Sequence, residues 1–305
     1  MVNAMLSLRS RLKALQLGLF LLAFQCFADS ENKPPIHWLM VDWPPYTYTD
    51  QDDQWRGYGA NFLFKIIEHL PEYKHYFLKS KFSYLNSSKF VRERNICSIG
   101  IYPTQQREEI LTFSLPDQIF PPMQLWMRKD TYSSLGRPDY LSLDALMDSR
   151  LGVLGLKAGV AYSPELRTVI SRYEHTKNVL RLTQSEMTIP LAGMLHLGRI
   201  DFMLEYADMM HYTLASEELR HLKGIVPVSV EEERGILHYT RVGCPKTPVG
   251  AKIIETINAV LPSLYADESY WAPFMQYLTP QQKIEFDRYL NRLIENPADW
   301  RYIAP

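Results

Sequence analysis

Residues 97–116 read CSIGIYPTQQREEILTFSLP, and this stretch decides the fold. The segment Asn95–Ile99 has the apolar, β-favouring character of a short strand. It breaks into small and turn-forming residues at Gly100, Pro103 and Thr104, passes an arginine at Arg107, and leaves through Phe113-Ser114-Leu115-Pro116. Small residues after a strand leave backbone N–H groups uncovered, and such groups can face an anion. Arg107 adds a planar, permanently charged fork that fits a carboxylate with two parallel hydrogen bonds. The pattern predicts a receptor for a small acid group; the bland reading is a surface arginine after a turn.

The stretch resembles the bacterial extracellular solute-binding proteins of family 3, the periplasmic receptors for polar amino acids. In that family a strand leads to small residues, then Thr-x-x-Arg, then Phe-Ser-x-Pro. The matching positions are Ser98, Gly100, Thr104, Arg107, Phe113, Ser114 and Pro116. The resemblance implies that Arg107 holds a ligand carboxylate. The chain departs from the pattern by placing Tyr102-Pro103 ahead of the threonine.

Working outward, Arg9, Arg11 and Lys13 precede an apolar run over 14–24, and Cys26-Phe27-Ala28 puts small residues where a signal peptidase reads. The run is shorter than the roughly 18–20 residues needed to span a bilayer. Residues 1–28 are expected to be a cleaved signal peptide, with an uncleaved anchor as the alternative. Removing them leaves 30 basic and 34 acidic residues, and no basic stripe for nucleic acid. The remaining length fits two lobes better than one core. Cys97 and Cys244 survive cleavage; an even pair in an oxidising compartment invites a disulfide, and two separate buried thiols are the alternative. The resemblance favours the bond, because in that fold the strand before the Thr-x-x-Arg loop lies antiparallel to the strand returning from the second lobe, here expected over 236–242.

Strands and helices alternate along the chain, the sign of an α/β protein. A first strand is expected at Ile36–Val41 and a helix at Ala60–Leu70, with Phe62, Leu63, Ile66, Ile67 and Leu70 on one face and Pro71 as the stop. Further strands are expected at Leu151–Leu154 and Ile200–Leu204. Helices are expected to start at Ser163-Pro164, near Thr188, at Thr247-Pro248, and at Thr279-Pro280-Gln281-Gln282 with a capping box.

Three more landmarks follow. The loop Asp42-Trp43-Pro44-Pro45-Tyr46-Thr47-Tyr48 matches the family's aromatic-x-Pro-aromatic turn, which implies that Trp43 stacks on the ligand, with Tyr46 and Tyr48 as further contacts. A hydrophobic turn packed on the first lobe is the alternative. Gly198-Arg199-Ile200-Asp201 opens a stretch like the family's second-lobe strand, which delivers an aspartate to a ligand amino group; that position counts to Tyr206 here, with Glu205 one residue earlier. Either the strand bends and Glu205 makes the ligand contact, or the ligand lacks a standard α-amino group; otherwise Glu205 is a salt-bridged carboxylate near the cleft rim. Lys157–Ser163 sits where the family offers backbone N–H groups at a helix N-terminus, with Tyr162 and Ser163 as candidates; Ser163 alternatively only caps its helix.

The sequence carries no G-x-S-x-G elbow, H-E-x-x-H or Cys-x-x-Cys motif, and Met203, Met209, Met210 and His211 read as core rather than as metal ligands. The expected molecule is an α/β protein with the type II two-lobed periplasmic-binding-protein fold: each lobe a mixed sheet flanked by helices, joined by two strands that act as a hinge. Lobe one is expected over 29–126 and 237–305, lobe two over 127–236, with crossings near 124–128 and 235–238. The expected function is capture of a small polar, carboxylate-bearing, amino-acid-like ligand in the cleft, without cofactor or catalysis, by a periplasmic monomer that does not bind nucleic acid. The partner is an ABC transporter permease or, alternatively, a membrane sensor. A further alternative is a cyclohexadienyl-type dehydratase on the same fold, with Glu205 as proton donor. The stretch after Ala266 is longer than the family pattern and carries no assigned role.

Overall fold

A computed structural model describes residues 33–81, 84, 91–92, 95–183, 188–236 and 238–296 of the 305-residue chain. The expected signal peptide, 1–28, lies outside the described residues.

Two mixed sheets organise the chain. The first has the order β4-β1-β5-β13-β6, and the second β10-β9-β11-β7-β12-β8. In the first, β1 (Pro35–Met40) runs parallel to β4 (Lys74–Lys79) and β5 (Ile96–Ile101), while β13 (His238–Pro245) lies antiparallel between β5 and β6 (Leu111–Phe120). Gly243 stands opposite Ser98 in that pairing, so Cys97 and Cys244 are neighbours; they are disulfide-bonded, with Cα atoms 4.2 Å apart. In the second sheet β9 (Leu154–Lys157) is parallel to β10 (Val179–Leu182) and β11 (Phe202–Glu205). There β7 (Gln124–Arg128) is antiparallel to β11 and β12 (Ile225–Val230), and β8 (Tyr140–Leu141) closes the edge beside β12.

The chain passes between sheets twice, through 121–123 and between β12 and β13. The first passage falls earlier than expected. Leu125 and Trp126, assigned to the first lobe on sequence, pair with Leu204 and Met203 in the second sheet. Pro121 and Pro122 explain the break, since neither can donate to a sheet ladder.

The helix signals have direct local causes. α1 (Tyr58–Ile67) buries Phe62, Leu63 and Ile66. Thr247 accepts a hydrogen bond from the Gly250 N–H and Pro248 occupies the first turn of α8 (Pro248–Tyr265), which buries Ile253, Ile254, Ile257 and Leu261. Each such burial stabilises by roughly 1.5–3 kcal/mol. The C-terminal helices α9 (Glu268–Met275) and α10 (Pro280–Glu295) supply Tyr270, Trp271, Phe274, Phe286 and Leu293 to the first core. The stretch after Ala266 is therefore part of the first lobe's interior. Thr279 and Gln282 form the capping box of α10.

Two strands are displaced from their expected positions. β9 starts at Leu154 rather than Leu151, and Gly155 lies within it. A Cβ there would meet the side-chain ends of Ile200 (Cδ1, 2.5 Å) and of the helical Leu191 (Cδ2, 2.8 Å), so the glycine leaves room for packing on the strand and is not a turn. Leu151 is 62% exposed, outside the strand. β11 starts at Phe202, and Asp201 lies just before it, its N–H on the Val153 carbonyl (2.9 Å) and its carboxylate accepting the Val153 N–H (2.9 Å) and pairing with Arg128 (2.8 Å). No helix among the described residues is long and apolar enough to cross a membrane.

Candidate functional site

The two sheets face each other across a cleft of about 520 Å³, part of it open to solvent. Its first-lobe wall carries Trp43, Tyr46, Gly100, Tyr102, Arg107, Phe120 and Thr240; the second lobe adds Gly159, Val160, Ala161, Tyr206 and Met209. Five of the expected site residues are thus brought together: Trp43, Tyr46, Gly100, Arg107 and Tyr206.

Arg107 lies in the short helix α2 (Gln105–Glu108), which Thr104 caps by accepting the Arg107 N–H at 3.3 Å. The guanidinium is buried. Its Nη1 donates to the Tyr102 carbonyl at 3.0 Å and its Nη2 to the Gly159 carbonyl of the second lobe, also at 3.0 Å. Burial lowers its pKa to about 10, so it remains a cation at neutral pH.

Tyr46 is buried between two glycines. Gly100 has φ +66°, and a Cβ there would sit 1.9 Å from Tyr46 Oη. Gln118 Nε2 donates to that hydroxyl at 3.2 Å. The Gly100 N–H does not face the cleft as an anion donor: it donates to Asp117 Oδ2 at 2.9 Å, while Thr240 Oγ1 donates to Oδ1 at 2.8 Å. The acceptor of the small-residue turn is the protein's own carboxylate. Burial raises the Asp117 pKa to about 6.

The remaining expected residues stand away from the wall. Ser98 is buried and donates to the Leu39 carbonyl at 3.0 Å. Thr104 is a helix cap. Tyr48 lies in β2 (Tyr48–Thr49), with its ring 6.2 Å from Tyr212. Tyr162 accepts the Lys157 N–H at 3.0 Å from within the second core. Ser163 caps α5 (Pro164–Tyr173) and donates to Glu233.

Glu205 is fully buried at the end of β11. Its Oε1 accepts the Tyr206 N–H at 2.9 Å; its Oε2 accepts Thr188 Oγ1 at 2.7 Å and is paired with the Lys157 ammonium. The Lys157 Nζ also lies 4.1 Å over the Trp43 ring, and Trp43 Nε1 donates to Thr188 Oγ1 at 3.2 Å. Burial lowers the Lys157 pKa, and the Glu205 charge opposes that shift. Glu205 is paired with Lys157, but it is fully buried and not among the residues lining the cleft, rather than near its rim. The one-residue offset has a physical consequence: Glu205 points to one side of the strand, and Tyr206, at the N-cap of α7 (Ala207–Ala215), points into the cleft. The Tyr206 hydroxyl lies 3.1 Å from His238 Nδ1.

Phe120, Met123 and Thr240 line the cleft without having carried any sequence signal, since each sits in an otherwise ordinary strand or linker; Met209, read as core on sequence, is buried in the first core and lines the cleft as well. No group of three or more His, Cys, Asp or Glu side chains among the described residues could hold a metal.

No protein-family model and no curated protein sequence matches the chain. Solved structures do. One is a histidine kinase sensor domain with similarity to periplasmic binding proteins, 18% identical, covering 81% of this chain and 96% of that one at a TM-score of 0.58. Another is an ancestral arginine-binding protein bound to arginine, 15% identical, covering 81% and 99% at 0.59. A third is an arginine transport-system periplasmic binding protein from Legionella pneumophila, 18% identical, covering 81% and 100% at 0.58. The chain has the two-lobed periplasmic-binding-protein fold, as the Thr104–Arg107 segment and the alternating elements led one to expect.

Proposed function

We propose that the protein is an exported, periplasmic solute receptor that captures a small carboxylate-bearing ligand between its lobes. The observation that carries this reading is Arg107: a buried cation on the wall of an interlobe cleft, whose guanidinium reaches across to the second lobe. The lobes comprise residues up to about 120 with 238–296, and 124–230, and the two passages between the sheets act as the hinge. Asp29 is the expected first residue of the mature chain, and N-terminal sequencing of exported protein tests it. A monomer handing its ligand to an ABC transporter permease fits the arginine-binding neighbours.

The sensor-domain neighbour supports a second use of the same site, in which the closed receptor signals to a membrane sensor instead of feeding a transporter. The dehydratase reading is disfavoured, because the carboxylate it needs as proton donor, Glu205, is engaged by Lys157 and Thr188. A thermal-shift screen of amino acids, organic acids, small peptides and polyamines tests the binding reading. A ligand at 100 times its Kd stabilises by about 2.7 kcal/mol. A screen in which no carboxylate raises Tm sinks the reading.

A further inference from the structure

We infer that the cleft selects carboxylates that carry no ammonium group, and that Lys157 sets this selection. The inference rests on the carboxylate-receptor reading above and names its ligand class.

The charge inventory of the site carries the argument. Arg107 is the one charged side chain among the described residues lining the cleft. The acid nearest to it in function, Glu205, is committed on both oxygens: Oε1 to the Tyr206 N–H, and Oε2 to Thr188 and Lys157. Lys157 is itself only 2% exposed, held between that carboxylate and the face of Trp43. Of the other buried acids nearby, Asp208 is bonded by Tyr58 Oη at 2.6 Å, Asp117 by the Gly100 N–H and Thr240 Oγ1, and Glu233 by Ser163 Oγ with His238 Nε2 beside it; none of the three lines the cleft. An incoming ammonium group therefore finds a cation already in place on the carboxylate and on the indole ring. It would have to displace Lys157 or lie beside a like charge, stripped of water.

The rest of the wall favours the complementary ligand. Tyr46, Tyr102, Phe120, Met123, Tyr206 and Met209 line the same cleft as Arg107 with an aromatic and thioether surface from both lobes and the passage between them. An acid with an apolar body meets its charge at one end and an unpolar wall at the other. The same acid with an α-ammonium meets no anion to replace the water it loses. Lys157 thus acts as a built-in stand-in for a ligand amino group.

The test is isothermal titration calorimetry on the purified chain with two matched pairs: 3-phenylpropanoate against L-phenylalanine, and 4-methylpentanoate against L-leucine. In wild type the deaminated acid is expected to bind at least ~10-fold tighter in at least one pair, a gap of about 1.4 kcal/mol. In Lys157→Met, which releases Glu205, the preference should move at least ~10-fold toward the amino acid. Lys157→Met combined with Glu205→Gln frees no carboxylate and should move the preference by less than the single variant does; where the single variant does not fold, the two wild-type pairs alone decide. Equal or tighter binding of both amino acids by wild type overturns the selection while leaving the carboxylate reading intact, as does an unmoved preference in a folded Lys157→Met. Absence of binding by all four acids overturns the carboxylate reading and the selection together.

Discussion

The hydroxyl of Tyr58, on α1 of the first lobe, donates to the carboxylate of Asp208 on α7 of the second at 2.6 Å, and both groups are buried. With Trp43–Thr188 and Arg107–Gly159, it ties the lobes together by side chains that belong to neither hinge passage. Tyr58→Phe deletes only the donor and strands a buried acceptor, a loss of roughly 1–3 kcal/mol. For a protein of this size the expected drop in Tm is on the order of 2–4 °C per kcal/mol, readable by differential scanning calorimetry. An unchanged Tm would show that the two lobes do not depend on this contact.

Asp117 and Asp208 give stability a pH dependence opposite to that of a salt-bridged acid. Burial is the leading cause in both, and raises each from 3.8 to about 6. The folded state therefore holds protons that the unfolded chain has already released. The stabilisation is fully present below about pH 4 and is lost as pH rises through about 6, by roughly 3 kcal/mol for each group. Asp208→Asn, which keeps an oxygen for Tyr58, should remove about half of this slope. Tm measured at half-unit steps from pH 4 to 7 for wild type and variant checks the sign and the share.

Arg107→Ala is expected to weaken carboxylate binding by roughly 2–5 kcal/mol, or about 30- to 3,000-fold, and Arg107→Lys should recover little, lacking the planar fork. Its two carbonyl partners add a second effect that cleft exposure alone would not produce: the alanine variant leaves the Tyr102 and Gly159 oxygens without this donor and should also lower Tm. Calorimetry and thermal denaturation of the same preparations separate the two. Wild-type affinity in the alanine variant would place the anchor elsewhere.

Reduction of the Cys97–Cys244 bond should destabilise the first lobe strongly. The bridge closes a sequence separation of 147, and a loop of that length restrains the unfolded chain by about 5 kcal/mol in the chain-entropy model. The bridge spans the whole second lobe, so its effect should appear as a single lowered transition rather than as loss of the second lobe alone. Unfolding in the presence and absence of dithiothreitol measures it; an unshifted midpoint in fully reduced protein would count against it.

How legible all this was in the sequence depended on whether the signal was local. Caps and stop signals at Ser163, Thr247 and Thr279 act within one turn of helix, and those starts were readable. The strand pairing that brings Cys97 to Cys244 required a resemblance, because 147 positions separate them. Arg107, Trp43 and Tyr46 sit in short segments whose composition announces them. Lys157 did not announce itself, since its meaning lies in Glu205, Thr188 and Trp43, which three different elements deliver. The same holds for Gly100: its place in a small-residue turn was readable, but the acceptor of its N–H, Asp117, arrives from β6, on the far side of β13. The C-terminal helices were invisible as core because Trp271, Phe274 and Phe286 find their partners on α1 and within their own pair of helices.

Met209 belongs by sequence to the second lobe, on α7, yet its side chain is buried in the hydrophobic cluster of the first. A lobe opening that exposed this side chain to water would cost roughly 1.5–3 kcal/mol before the Tyr58 and Trp43 contacts are counted. On the receptor reading proposed above, that cost gates solute entry: the rate would follow the fraction of molecules standing open, and the measured affinity would be the intrinsic one reduced by that same fraction. Trimming Met209 to alanine should speed both arrival and departure of the solute, making this thioether a timer for exchange.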